Sequence, residues 1–297
     1  MEDFSGHDQP LVSVMMPVYN GEKTIMFAIK SLLMQTYKNW LCIIVNDGSN
    51  DGTQKLLNKI SDQRFKIIHL EKNLGRGAAR QVALDNVEGK YITYLDADDI
   101  YHPDKLEIQV RFMENNDDIE LVACGIGSFD QNNILRRVRG KGHMEKIIFT
   151  KDRVKFGFSP ASSIIKINSA KKHRYRINLN VAEDVDYFSR LLYEKKIIIL
   201  NKVLYYYFEF GNTSARKIIS YYLHGMKSDY YLIQNKGFHG FTQLIKSLIK
   251  FSIYLITLPI FGSEFYLKKR GNVPTENEIT EFNGVLAILN ELPNVLF

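Results

Sequence analysis

Cysteine is scarce in this chain of 297 residues: there are two, Cys42 and Cys124. That excludes a disulfide framework and suits a reducing compartment. Seven histidines are scattered, and no His-x-x-x-His or Cys-x-x-Cys pair occurs, which argues against a structural zinc site. No Gly-x-x-x-x-Gly-Lys-Ser/Thr segment exists, so a P-loop is excluded. No Gly-x-Ser-x-Gly elbow exists either, which argues against a serine hydrolase of that type. Nucleic-acid motifs are missing as well. The longest apolar stretch without a charge, Phe251–Gly262, is short for a membrane span of roughly 20 residues. The first ten residues, MEDFSGHDQP, are acidic and polar, unlike a secretory leader.

What is present is an ordinary globular balance, 45% hydrophobic and 24% charged, with a net charge of +6. The charge is unevenly placed. Residues 1–135 carry −7, 136–176 carry +11, 216–270 carry +7, and the tail 271–297 carries −4. An acidic first half suits a cation or polar-ligand site, and the basic blocks suit something anionic.

Apolar runs alternate with helical periodicity through the first hundred residues. Leu11–Val18, Trp40–Val45, Phe65–Leu70 and Lys90–Leu95 read as strands. Glu22–Gln35, Thr53–Ile60, Gly75–Val87 and Pro103–Glu114 read as helices. This spacing predicts βαβ units, an α/β fold with a mostly parallel, Rossmann-like sheet flanked by helices. Ile119–Cys124, Ser162–Ile167 and Lys202–Phe208 are further strands, residues 125–160 a hairpin with loops, and Glu183–Lys195 a helix. From Ser214 to Arg270 the pattern is helical and basic; the acidic tail either packs back or stays loose.

Asp96-Ala97-Asp98-Asp99 follows an apolar strand, so its carboxylates emerge at a strand's carboxyl end. Three acids in four residues repel unless a cation relieves them, and hard ions such as Mg²⁺ or Mn²⁺ favour carboxylate oxygen. Capping of the next helix is the equal alternative. Asp47 lies in Asn46-Asp47-Gly48-Ser49-Asn50-Asp51-Gly52-Thr53, which imitates a calcium loop but has Asn58 where the bidentate Glu belongs. It reads as an Asx turn or as a carboxylate that accepts from a nucleobase. Gly75-Arg76-Gly77-Ala78-Ala79-Arg80 has two glycines of a dinucleotide fingerprint and lacks the third; its arginines suit an anionic ligand or plain solvation. Glu183-Asp184-Val185-Asp186 opens a helix, where acids complement the dipole or supply a general base.

Taken together, six ordered motifs resemble glycosyltransferase family 2: Val14–Asn20, Ser31–Tyr37, Ile43–Thr53, Asn73–Ala83, Gly89–Asp99 and Glu183–Leu192. The resemblance covers residues 10–210 and implies an inverting, metal-dependent transferase with the GT-A fold, moving a sugar from a nucleotide sugar, usually a UDP-sugar, to a hydroxyl of a glycan or lipid-linked acceptor in surface-polysaccharide synthesis. By position it implies that Asp47 contacts the base and that Pro17, Tyr19 and Glu22 line the nucleotide pocket. Arg76 or Arg80 would lie beside the base or diphosphate, Asp96 would face the ribose or sugar, and Asp98 would hold Mn²⁺ or Mg²⁺. Asp184 would be the catalytic base, with Glu183 supporting it. Asn46 departs from the family, which often has a second Asp there.

The expected organisation is a transferase domain over 1–215, with a donor half 1–124 and an acceptor half 125–215, followed by a helical region 216–297. Within that region Phe238–Arg270 mixes apolar residues with Lys246, Lys250, Lys268, Lys269 and Arg270, either a core-packing helix pair or a surface that rests on anionic lipid. The expected setting is the cytoplasm, with peripheral contact at the inner face of the membrane and no nucleic-acid partner. Rival expectations are a catalytically inactive nucleotide-sugar-binding protein and a nucleotidyltransferase; the latter class usually has a Gly-rich basic loop where this chain has Pro17-Val18-Tyr19-Asn20-Gly21.

Overall fold

The computed structural model describes residues 9–142, 144, 147–148, 157–177, 179, 183–211 and 215–292. The strands are β1 Val12–Val18, β2 Trp40–Asn46, β3 Phe65–His69, β4 Tyr91–Tyr94, β5 Ile100–Tyr101, β6 Leu121–Asp130, β7 Leu135–Arg139, β8 Ile147–Ile148, β9 Ile164–Lys166 and β10 Lys196–Phe210. The helices are α1 Ile25–Leu33, α2 Thr53–Leu57, α3 Arg76–Asp85, α4 Lys105–Glu114, α5 Ile167–Ala170, α6 Glu183–Leu191, α7 Ala215–Leu267 and α8 Glu276–Glu291.

All ten strands join one sheet, whose main path runs β3-β2-β1-β4-β9-β6-β10-β5, with β7 on β6 and β8 on β10. The segment β3-β2-β1-β4 is parallel, as the alternation of strands and helices predicts. β1, β2 and β4 are apolar along their length and covered on both faces, as interior parallel strands are. One face packs on α1 and α4 through residues such as Ile25, Leu32, Leu106 and Met113. The other packs on α3 and α6 through Ala79, Ala83, Tyr187 and Phe188.

Past β4 the sheet becomes mixed, because β9 lies antiparallel between β4 and β6. β6 runs well beyond the expected Cys124 and pairs in parallel with β10, itself fifteen residues long. Near the other end α1 starts three residues later than its periodicity suggests. The Glu22 backbone N–H donates to Asp51 Oδ2 at 3.1 Å, and its side chain accepts from Gly52 N–H at 3.0 Å, so Glu22 belongs to a loop contact.

The acidic tail packs back. It forms α8, opened by a capping box between Thr275 and Glu278. Phe282 of α8 is fully buried, with ring centroids 4.8 Å from Tyr206 and 5.5 Å from Phe129. The basic segment before it is α7, in which Leu244–Leu267 is long and apolar enough by length and composition to cross a membrane. The charge-free stretch Phe251–Gly262 understates it, because the apolar composition continues past Lys250 and past Glu264.

Candidate active site

The strand order places β2 and β4 on opposite sides of β1, so the crevice beyond the carboxyl ends of these three strands is the switch point where such sheets bind ligands. Three loops meet there. After β1 the chain turns through Pro17, half-buried, and Tyr19, which is exposed. This turn is stapled to the loop after β2: Asn20 N–H donates to Ser49 Oγ at 2.9 Å, Asn50 N–H to Asn20 Oδ1 at 3.0 Å, and Gly21 N–H to Thr53 Oγ1 at 2.8 Å. Asp51 Oδ1 accepts from Thr53 N–H at 2.9 Å. The oxygens that imitate a calcium loop thus hold two turns together, as Asx and Ser/Thr side chains commonly do.

Asp47 directly follows β2 and is buried. Its Oδ1 accepts from Leu74 N–H at 2.7 Å and its Oδ2 from Gly75 N–H at 2.9 Å. Gly75 has φ +90°, a conformation that glycine adopts without a Cβ penalty and that helps turn both amides toward one carboxylate. Each carboxylate oxygen keeps a second lone-pair direction for another donor.

α3 starts at Arg76 and carries Arg80 one turn on, against the start of α6. Arg76 Nε donates to Glu183 Oε1 at 2.6 Å, and Arg80 Nη1 donates to the same oxygen at 2.9 Å. Arg80 Nη2 lies 3.3 Å from Asp96 Oδ1, and Nη1 lies 3.9 Å from Asp184 Oδ2. The Arg80 side chain is 6% exposed. Burial works against its charge, yet Asp96, Asp184 and Glu183 hold the guanidinium above the ordinary arginine range. One buried cation therefore joins acids from the loop after β4 and from α6 that are nearly ninety residues apart in sequence. Glu183, at 1% side-chain exposure, gives its Oε1 to both arginines and leaves its buried Oε2 without a hydrogen bond, whereas the Asp184 side chain is 30% exposed. Asp184 Oδ1 also accepts from Val185 N–H at 2.8 Å.

The acids after β4 divide in the same manner. Asp99 is fully buried; Tyr205 Oη donates to its Oδ2 at 2.6 Å and Phe208 N–H to its Oδ1 at 2.9 Å. Burial pushes its carboxyl well above the usual carboxylate range, and Asp98 and Asp96 push further. Asp99 thus anchors the acidic loop to β10, while Asp96 and Asp98 stay half-exposed at the carboxyl end of β4. Tyr205 was not legible as a site residue: the run Tyr205-Tyr206-Tyr207 carries no mark of which ring turns toward the acids. Its Oη accepts the Asp96 N–H at 3.2 Å as well.

Among the described residues, no three His, Cys, Asp or Glu side chains are grouped to hold a metal by themselves. Two half-exposed carboxylates with a third engaged elsewhere suit a hard divalent ion that keeps most of its coordination for water and substrate phosphates. The donor set therefore fits Mg²⁺ or Mn²⁺ held jointly with a diphosphate. Of the residues singled out by sequence, Asp96, Arg76, Arg80, Glu183 and Asp184 are linked directly. Pro17, Tyr19 and Asp47 line the neighbouring strand ends, and Glu22 secures the loop behind them.

Comparison with known proteins bears on this geometry. A family model described as glycosyl transferase family 2 matches residues 13–174. An uncharacterised glycosyltransferase of Methanocaldococcus jannaschii is 38% identical over 193 residues, 62% of this chain and 66% of that protein. The Escherichia coli protein WfgD, a UDP-Glc:alpha-D-GlcNAc-diphosphoundecaprenol beta-1,3-glucosyltransferase, is 42% identical over 109 residues, 37% of this chain and 43% of WfgD. Both matches span less than two thirds of the relative's length. In structure, the mannosyltransferase PcManGT of Pyrobaculum calidifontis, solved with GDP-Man and Mn²⁺, superposes with a TM-score of 0.59 at 14% identity, covering 96% of this chain and 87% of that one. At that identity the likeness speaks for the fold, which is GT-A with a helical C-terminal extension.

Proposed function

We propose, for a chain that belongs to glycosyltransferase family 2, an inverting transfer of a sugar from a UDP-sugar to a hydroxyl of a lipid-linked or glycan acceptor in cell-surface polysaccharide synthesis. The observation that carries the reading is the Arg80 bracket. It holds the half-exposed Asp184 and Asp96 against one guanidinium, which supports a base and a diphosphate site within one crevice. The name of WfgD supports a UDP-sugar donor, a diphospholipid-linked acceptor and a β-linked product.

In this mechanism Pro17 and Tyr19 border the nucleoside from β1, and Asp47 accepts from the base with the lone pairs its loop bonds leave open. Arg76, half-exposed and already leaning on Glu183, faces the base or diphosphate. Asp96 faces the ribose or sugar. Asp98, beside Asp96, would hold a divalent ion, which would supply charge neutralisation on the departing diphosphate. The acceptor hydroxyl approaches the anomeric carbon opposite the leaving group, and Asp184 takes its proton. Glu183 does not touch the reacting atoms: buried against Arg76 and Arg80, it fixes the start of α6 and so aims Asp184. One displacement turns an α-linked donor into a β-glycoside. Residues 1–124 form the donor half and 125–215 the acceptor half in this reading, and the two buried free thiols, Cys42 and Cys124, suit the cytoplasm.

The test is a donor screen that follows UDP or GDP release across UDP- and GDP-sugars with a diphospholipid-linked acceptor, with Mn²⁺ and with chelator. Acceptor-dependent UDP release that needs the ion is expected. Release from GDP-sugars alone overturns the donor assignment, and turnover undiminished by chelator overturns the role of Asp98.

A further inference from the structure

The end of α7 does not behave as a straight rod. Tyr254 and Tyr266 are twelve residues apart, yet their ring centroids lie 4.4 Å from one another. A straight helix would set their Cα atoms about 18 Å apart. Tyr266 Oη also donates to Thr257 Oγ1, nine residues before it. The chain therefore folds back on itself, and the cause sits between these pairs. Pro259 lies inside the helix, and Gly262 has φ +71°, a left-handed conformation that reverses the backbone direction.

The tip of this reversal is apolar and uncovered. Ile256 is 66% exposed and Ile260 69%, and Ile249, Ile253 and Phe261 are exposed with them. Apolar surface gathered in this way marks an interaction site. Basic residues flank it on both arms: Lys246 and Lys250 before, Lys268, Lys269 and Arg270 after. Lys269 Nζ lies 4.2 Å from the centre of the Phe265 ring, a cation over an aromatic face.

The base of the returning arm is fixed to the sheet. Arg137 Nε donates to the Lys268 carbonyl at 2.6 Å, Asn272 bridges Val138, and Arg270 pairs with the buried Glu209 at 3.2 Å. α8 then packs on Phe129 and Tyr206. Chain that leaves the domain along α7 thus returns to the same domain. One crossing cannot achieve this. Two crossings would need about 20 apolar residues each, and among the described residues Leu244–Leu267 is the one segment long and apolar enough, itself bent at Gly262.

We propose that the bent arm Leu244–Leu267 is an interfacial anchor, which sinks its apolar tip into one leaflet of an anionic bilayer without crossing it. The partner is chosen by charge: cations at both roots of an apolar tip match acidic headgroups above acyl chains. The proposal goes beyond the transfer reaction and does not depend on it. An anchor of this kind would hold the crevice near a lipid-linked acceptor.

The experiment is flotation of the full chain with vesicles of phosphatidylcholine, with and without phosphatidylglycerol. Wild type should float with the anionic vesicles and at least about tenfold less with the neutral ones. The double variant Ile256→Glu/Ile260→Glu, placed at exposed positions, should lose flotation by at least about tenfold while its circular dichroism and UDP binding match wild type. Lys268→Glu/Lys269→Glu should erase the preference for anionic lipid. Alkaline carbonate should release the bound protein. Flotation unchanged in the Ile256/Ile260 variant overturns the proposal. So does retention after carbonate, which marks a span, and so does a dimer in light scattering that dissociates in that variant without any vesicle binding. UDP-sugar turnover in vesicle-free solution is read on the same preparations, so failure of the anchor and failure of the transferase reading are told apart.

Discussion

At the scale of single residues, the site is sorted by burial. Glu183 and Asp99 are sealed in against neighbours, while Asp184, Asp96 and Asp98 stay partly exposed. Sequence alone showed two acidic clusters; it could not show this division, because adjacent aspartates look alike until the fold turns one inward. Asp184→Asn should therefore lower kcat by about 10²- to 10⁴-fold with the affinity for UDP nearly unchanged, read from UDP release and from titration with UDP. Preserved turnover would remove Asp184 as the base. Arg80→Met has a different signature. It leaves the buried Glu183 with Arg76 alone, and breaking a buried pair by deleting one partner costs about 3–5 kcal/mol, visible in urea unfolding. A third residue tests burial away from the site. Lys105 of α4 is fully buried; its Nζ donates to Thr93 Oγ1 at 2.9 Å and Gln109 Oε1 at 2.8 Å, above the Tyr101 ring. Burial pulls its pKa down from 10.5 to about 8, although Cys124 opposes this. The unfolded chain then binds more protons between those two values, so the contribution of Lys105 to stability is full above pH 10.5 and is lost as pH falls to 8. The stability of wild type relative to Lys105→Met should rise between pH 8 and 10 by up to about 1.4 kcal/mol per pH unit. Parallel pH profiles of the two proteins would contradict it.

At the scale of elements, β1 to β4 and the helices between them were legible because each carries its own periodicity and ends at a turn residue. Leu11–Val18 anticipates β1 within one residue, and Trp40–Val45 anticipates β2 within one. What escaped is how some elements are placed and limited by distant partners. β9 falls inside the expected strand Ser162–Ile167, but its antiparallel place between β4 and β6 is set by both neighbours. β10 starts six residues earlier than its aromatic run suggests, since Ile197–Ile199 pair with Leu121–Ala123. The acidic tail reads as packing back or staying loose; the first holds, because Phe282, Val285 and Leu289 share one face of α8 and all are buried. That face makes α8 part of the core rather than an appendage. Phe282→Ala should cost about 3–5 kcal/mol in equilibrium unfolding, the range for a large aromatic removed from a packed site. Thr275→Ala, which removes only the capping hydroxyl, should cost about 1 kcal/mol. A Phe282 variant as stable as wild type would mean that α8 is dispensable to the fold.

At the scale of the molecule, the uneven charge acquires a geometry. The first half, at −7, contributes its strand-end acids to a crevice at the switch point of the sheet. The block at +7 contains the bent arm and its flanking cations. Arg80 ties Asp96, after β4, to Glu183 and Asp184 of α6, so under the proposed function donor binding should be felt as stability of the whole fold rather than of one loop. A ligand that binds only the folded state stabilises it by RT ln(1 + [L]/Kd), about 2.7 kcal/mol at a hundredfold excess over Kd. UDP with Mn²⁺ should raise the melting temperature accordingly. If Asp98 and the diphosphate share the ion, the two ligands are not additive: chelator should remove most of the gain, Mn²⁺ alone should give little, and Asp98→Asn should show with UDP and Mn²⁺ only the shift that wild type shows with UDP and chelator. Asp184→Asn, which leaves the donor site whole, should keep the full shift. Scanning calorimetry of these three proteins separates donor binding from catalysis. An equal shift in wild type with and without chelator would detach the ion from the diphosphate, and with it the assignment of Asp98.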